Sequence, residues 1–424
     1  MYHICMKEIQ NSVSPEILSQ AVDRFVGYAK IWTTSDGEST SSPSTARQLE
    51  LSKILSSDLK VLGAKEIFEK NGNLVAKFSS RGPCSNVPPL VLCAHMDTAA
   101  ECSGKGVLPQ HIYEYDGSSI HLKNDVVIDP KDSKELLRYV GTHIITGDGT
   151  TLLGSDDKAG LAAICTVMQI LESQNIPHGP IEVVFNTDEE IARGIADVPL
   201  EHIEARCGLT VDGQEMGLYE YENFNAVTAH FHIHGVAVHP GSAKNKMVNA
   251  IQLVNTLMSL LPGNEFPEAS EGKDGFFCPV HIDGTMTDLT LTLLVRDFSE
   301  ENMYIRIERL KTIAKAVENS FPGVRIECSF EWSYRNMRAT LEKHPELLEI
   351  VKEAIEKAGV TPHNTPIRGG TDGAHFAEKG IGLVNMFTGG HELHGPKEWL
   401  SVAAFEKSIA STVNVVSLWA KKHS

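Results

Sequence analysis

"DKAGLAAICTVMQILESQNIPHGPIEVVFNTDEE", residues 157–190, carries the pattern that decides the fold. Its first half has the apolar spacing of a long helix beginning just after Asp156, with Ser155 or Asp156 near the N-cap. Its second half, "IEVVF", is the near-continuous apolar run of a strand covered on both faces. The strand leads at once into three acids, Asp188, Glu189 and Glu190. Strands of this kind end where ligands bind in open α/β sheets. Gathering negative charge there is unfavourable unless a cation sits among the carboxylates. A solvated acidic turn is the plain alternative for the stretch taken alone.

Working outward, "LVAKF" (74–78) and "PLVLCAH" (89–95) read as further strands. "PEILSQAVDRFVGYAKIW" (15–32) reads as a helix, and "DGESTSSPSTARQLELSKIL" (36–55) as a mobile Ser/Thr-rich loop running into another helix. Strands alternating with helices imply a partly parallel α/β domain with a mixed sheet flanked by helices. From about residue 223 the texture changes. "NAVTAHFHIHGVAV" (225–238), "MTDLTLTLLVRDF" (286–298) and "VRIECSFEWSY" (324–334) alternate, with helical stretches at 242–261 and 302–321 between them. That order suits an inserted α+β domain. "HPELLEIVKEAIEKAG" (344–359), the strand "IGLVNMF" (381–387) and a terminal helix over 403–423 resume the first style. The expected division is 1–221 and 336–424 for the α/β domain and 222–335 for the insertion.

At 424 residues and 42% apolar content the chain can bury more than one core. A net charge of -17 argues against nucleic acid or an anionic membrane as partner. Eight cysteines without a C-x-x-C pair fit a reducing compartment rather than a disulfide framework or a thiolate zinc module. With no apolar signal segment and no run approaching the ~20 apolar residues of a membrane span, a cytoplasmic location is expected.

Candidate ligands stand at the ends of several strands: His95 and Asp97 in "AHMD", Asp156 and Asp157 in "SDDK", Glu189 and Glu190, Asp212 in "TVDG", and His391 and His394 in "HELH". Delivering carboxylates and imidazoles to one sheet edge is how distant segments assemble a metal site. A nitrogen and oxygen donor set suits zinc, with manganese or cobalt as rivals. Alternation puts His95 and Asp97 on one side, so that Asp97 can orient the imidazole. Asp156 is the preferred ligand of its pair, with Asp157 left to helix capping or to supporting the ligands from behind. Asp188 is given a turn or capping role.

"AHMDTA", "GDGTTLLGSDDKAG", "NTDEEIARG", "TVDG", "YENFNA", "HPGSAK", "RGGTDGA" and "FTGG" with its following "HG" occur in one order from about residue 22 to the terminal helix. Together they resemble the peptidase T family of tripeptide aminopeptidases, within the co-catalytic dinuclear zinc peptidases that include carboxypeptidase G and aminoacylase. The resemblance implies two zinc ions, replaceable by manganese or cobalt. His95 and Asp212 would complete one site, Glu190 and His394 the other, and Asp156 would bridge them. It also implies Asp97 as the orienting carboxylate, Glu189 as general base, and the insertion as a lid. Short peptides are the implied substrates, and the resemblance allows a homodimer. A related dipeptidase or N-acyl amino acid amidohydrolase would use the same metals. A catalytically silent peptide- or metal-binding protein would have no need of Glu189.

A peptide carboxylate needs a cationic partner, and Arg368 between a proline turn and two glycines is the best candidate. The resemblance adds His239 and Asn249 as substrate contacts. Glu101 is a candidate for the substrate amine, and Arg296 a weaker anion partner. His230, His232 and His234 share one face of a strand by period two, where a polar sheet face is preferred over a metal site. "HELH" lacks the four-residue histidine spacing of a helical zinc motif, and His391 is left unassigned as a competitor of His394.

Overall fold

The computed structural model describes residues 11–424, which divide into two compact units. The first ten residues, including Cys5, lie outside the described residues. Residues 11–221, 339–365 and 371–424 form the first unit; 222–338 and 366–370 form the second.

The first unit is built on a seven-stranded mixed sheet in the order Glu66–Lys70, Asn73–Phe78, Ile181–Asn186, Leu90–His95, Cys207–Gly213, Gly382–Phe387, Tyr219–Glu220. The four strands from 181–186 to 382–387 are mutually parallel, and the outer pairings are antiparallel. Strand 90–95 therefore lies between 181–186 and 207–213, with His95 level with Asn186. Parallel strands flanked on both faces must be apolar throughout, and all six residues of 90–95, 181–186 and 382–387 are buried. Alternation sends Val91, Cys93, Val184 and Leu383 into one core layer with Phe376 of helix Asp372–Glu378.

Helix Ser155–Ser173 packs against strands 90–95 and 207–213 and against helices Pro15–Ala29 and Val402–His423. It is buried almost all round, as its unbroken apolar composition requires. Asp156 and Asp157 are non-helical, so the regular helix starts at Lys158. Gly160 is obligatory here, because a Cβ would collide with the Val211 carbonyl and the Asp157 carboxylate. The helix thereby approaches the sheet closely enough to carry its N-terminal loop over the strand ends.

The second unit is a four-stranded antiparallel sheet in the order Phe276–Gly284, Asp288–Asp297, Asn225–His234, Arg325–Tyr334. Helices Ala250–Ser259 and Glu300–Ser320 cover one face, where Phe231, Ile233, Leu291 and Leu293 meet Leu253, Leu257, Ile307 and Leu310. Strand 276–284 escapes the alternation reading. It contains Pro279, a register shift follows it, and the strand lies at the sheet edge, where proline is tolerated.

The Ser/Thr-rich loop departs from the expectation of mobility at its C-terminal end. Ser44 and Thr45 are buried, and Thr45 donates to the Thr34 carbonyl. The seven cysteines among the described residues are all free. Among those residues, no helix is long and apolar enough to cross a membrane.

Candidate metal centre and catalytic carboxylates

Parallel strands share one C-terminal edge, and four of them deliver candidate ligands to it. His95 ends strand 90–95, Glu189 and Glu190 follow 181–186, Asp212 is next to last in 207–213, and His394 lies in the loop after 382–387. Asp156 arrives from the non-helical first residues of element 155–173. Its two carboxylate oxygens face different histidines: Oδ1 is 2.9 Å from His95 Nε2, and Oδ2 is 3.1 Å from His394 Nε2. Asp212 Oδ1 lies 3.6 Å from His95 Nε2, and Glu190 Oε2 lies 3.2 Å from His394 Nε2. Two donor groups result, His95–Asp156–Asp212 and Asp156–Glu190–His394, sharing Asp156.

Several of these groups are held from behind by buried carboxylates and backbone donors. Asp97, fully buried, lies 3.3 Å from His95 Nδ1 and accepts the backbone N–H groups of both Glu189 and Glu190, at 3.0 and 3.2 Å. One carboxylate thus fixes the imidazole and the turn bearing both acids. That turn is short and bracketed by left-handed residues, Asp188 at φ 62° and Ala192 at φ 57°. Asp188 is no solvated turn residue. It is buried and accepts from the Ser44 N–H and hydroxyl and the Gln48 amide, while Gln48 Oε1 accepts the Asp188 N–H. Asp157 accepts the Gly160 N–H, capping the helix, and the His95 N–H.

Three supporting residues went unread in the sequence. Glu398 accepts the N–H groups of Leu153, Gly154 and Ser155 and the Ser155 hydroxyl, at 2.6–2.9 Å, fixing the loop that presents Asp156. Asn385 accepts the Asp212 N–H and donates to Glu220. Asp372 accepts from Asn186, in a space closed by Gly194, where a Cβ would strike both side chains. A lone acid before a tryptophan, or a lone asparagine within a strand, has no periodic signature. Only the motif "TDGA" drew attention to its neighbourhood.

The electrostatics report a missing positive charge. Burial and the Asp156 charge push Asp212 up to about 7 and raise Glu190 well above its ordinary value. Glu189, half-buried, is raised chiefly by burial and further by the charges of Asp372, Asp212 and Asp97. Burial opposes charging of His95, yet Asp156, Asp212 and Asp97 together raise it well above normal. Glu190 Oε1 is buried with no hydrogen-bond partner. Converging carboxylates, two imidazoles and an orphaned buried oxygen fit a pair of divalent cations, which would reverse these penalties.

His391 does not join either donor group. It is buried, stacks on Trp399 at 4.1 Å between ring centroids, and is pulled down to about 4 by burial and the Arg138 charge. Glu101 is exposed. The remaining candidates lie in the second unit. Arg368 donates to the Gly272 and Asp274 carbonyls and to Ser270 Oγ, over the Phe224 ring. His239 Nδ1 accepts the Gly241 N–H, and Asn249 is the N-cap of helix 250–259. Arg296 donates to the Val227 and Val295 carbonyls.

Residues 125–418 match the model of peptidase family M20/M25/M40. A Peptidase T of Shouchella clausii is 41% identical over 405 residues, covering 95% of this chain and 99% of that protein. A Peptidase T of Caldanaerobacter subterraneus is 39% identical over 409 residues, covering 96% and 100%. Among solved structures, the fold is similar to that of aminopeptidase PepT from Bacillus cereus, with a TM-score of 0.77 at 22% identity over 97% of this chain and 100% of that one. It is also similar to a dinuclear metal-binding M20 peptidase from Bacillus subtilis, with a TM-score of 0.67 at 14% identity over 96% and 99%. The chain belongs to peptidase family M20/M25/M40.

Proposed function

We propose that this peptidase is a dinuclear zinc aminopeptidase that releases the N-terminal residue of tripeptides. The observation that carries the reading is the shared carboxylate: Asp156 turns one oxygen toward His95 and the other toward His394. Full-length relatives named Peptidase T, at about 40% identity, support the substrate class.

His95 and Asp212 would hold one ion, Glu190 and His394 the other, and Asp156 both. When bound, the two cations make water a competent nucleophile near neutral pH and polarise the scissile carbonyl. Glu189 takes the proton from the attacking water on its carboxylate and returns it to the departing nitrogen as the C–N bond breaks. Its place on the turn that Asp97 holds, next to Glu190, supports that task. Asp97 is a positioning residue, keeping His95 in one orientation and the base in place through two backbone N–H groups. His239, Asn249 and Arg368 are assigned to substrate on the family resemblance. Arg368→Ala should raise KM for tripeptides more than it lowers kcat.

The test compares a free-amine tripeptide, its N-acetylated form and a matched dipeptide, with zinc-loaded and chelator-treated protein. Chelator-sensitive cleavage of the first bond of the free tripeptide is expected. Preference for the acetylated peptide or the dipeptide would move the function to the amidohydrolase or dipeptidase branch.

A further inference from the structure

A second convergence of imidazoles and carboxylate lies in the 222–338 unit, on the sheet face opposite its two helices. Strand Asn225–His234 turns Phe231 and Ile233 into the helix-covered core, so His232 and His234 project from the other face. Alternation by itself accounts for them as a polar sheet face. The pairing with strand 288–297 adds what the pattern lacks: Asp288 stands directly opposite His234. His232 Nε2 is 2.9 Å from Asp288 Oδ1, and His234 Nδ1 is 3.5 Å from Asp288 Oδ2. The three side chains offer donor atoms that all lie within 4.8 Å of one another.

We propose that His232, His234 and Asp288 form an accessory site for a borderline divalent transition metal such as Zn2+, with water in the remaining positions. Ligands ~2.0–2.2 Å from an ion in tetrahedral or octahedral array stand roughly 3–3.5 Å apart, so the observed spacings need only small side-chain rotations. Two imidazoles and one carboxylate favour zinc, cobalt or nickel over magnesium and calcium, which prefer all-oxygen shells. Around the triad, Glu327 faces His232 across the other strand pairing and lies 3.6 Å from His234 Nε2. It can therefore accept the second ring N–H and orient that imidazole. Arg325 pairs with Glu327 at 3.0 Å and keeps that carboxylate beside the triad rather than within it. His232, His234 and Asp288 side chains are 43%, 35% and 63% exposed, which leaves the site open to exchange with solvent ions. This site goes beyond the catalytic reading and uses none of its residues.

The experiment is a calorimetric titration of tag-free, full-length protein with Zn2+ at pH 7.5, beginning from protein that retains its tightly bound ions after dialysis. Wild type should take up one further equivalent, absent in the His232→Gln/His234→Gln double variant and weakened in Asp288→Asn. All variants should cleave peptide substrate at the wild-type rate, since the altered side chains lie on an exposed face. Equal uptake by wild type and the double variant would overturn the proposal. Because the comparison is between proteins with the same catalytic residues, it reads out whether or not tripeptides prove to be the substrate.

Discussion

Among the described residues, histidine and carboxylate groups able to hold an ion gather in two places, and the two differ in what holds the side chains. Around Asp156, almost every ligand-type group is clamped from behind: His95 by Asp97, the Glu189–Glu190 turn by the same carboxylate, and the Asp156 loop by Glu398. On the 225–234 strand face, His232, His234 and Asp288 are held by one another and by Glu327, half-open to water. A clamped, buried array is preorganised for chemistry and for tight ion binding, whereas an open one can exchange ions without consequence for the fold. Substitutions at the first place should therefore change turnover, metal content or stability, and substitutions at the second should change ion uptake alone.

The largest effect is expected from Glu189→Gln, which removes the proton acceptor and leaves the surrounding donors in place. Its kcat should fall by about 10²–10⁴-fold with metal content unchanged by elemental analysis. Glu190→Ala should lower metal content as well, and a Glu190 variant with full metal content would break the division of labour between neighbouring acids. Asp97→Ala comes next. Losing the orienting carboxylate should reduce metal affinity or kcat/KM by roughly 10–100-fold, measured by competition with a chromophoric chelator and by initial rates.

Glu398→Ala sharpens the contrast through stability. It leaves several buried N–H donors around Ser155 without an acceptor, and chemical denaturation should show a loss of about 2–4 kcal/mol. A loss under about 0.5 kcal/mol would mean that the loop is held by other contacts. The smallest effect belongs to the open face: His232→Gln/His234→Gln should leave kcat/KM within about twofold of wild type, as surface changes remote from the reacting groups do.

Sequence pattern made much of the first unit legible because parallel strands and the buried helix have unmistakable apolar texture. The run 181–186 and helix 155–173 both lie where 157–190 predicts them. The motifs also pointed to the right family, M20/M25/M40. What escaped was set by tertiary contact. Asp188 does sit at a turn, but its burial escapes the sequence because Ser44 and Gln48, some 140 residues earlier, fold onto it. Glu398 has no local signature, since its partners lie more than 240 residues away. Strand 276–284 was hidden by Pro279, which only an edge position allows. His391 stood beside His394 in sequence and was an open competitor, but stacking on Trp399 draws it into the core. Asp288 became relevant to the strand histidines only through a cross-strand register that no single-strand pattern contains.

The central claim is that Asp156 serves two ions at once, and metal stoichiometry after exhaustive dialysis tests it most directly. Wild type should retain two ions per chain, His394→Ala should lose about one, and Asp156→Ala should lose both along with tripeptide hydrolysis. An Asp156→Ala protein that keeps two ions, or a wild type that keeps none while cleaving tripeptides in the presence of chelator, would contradict the account.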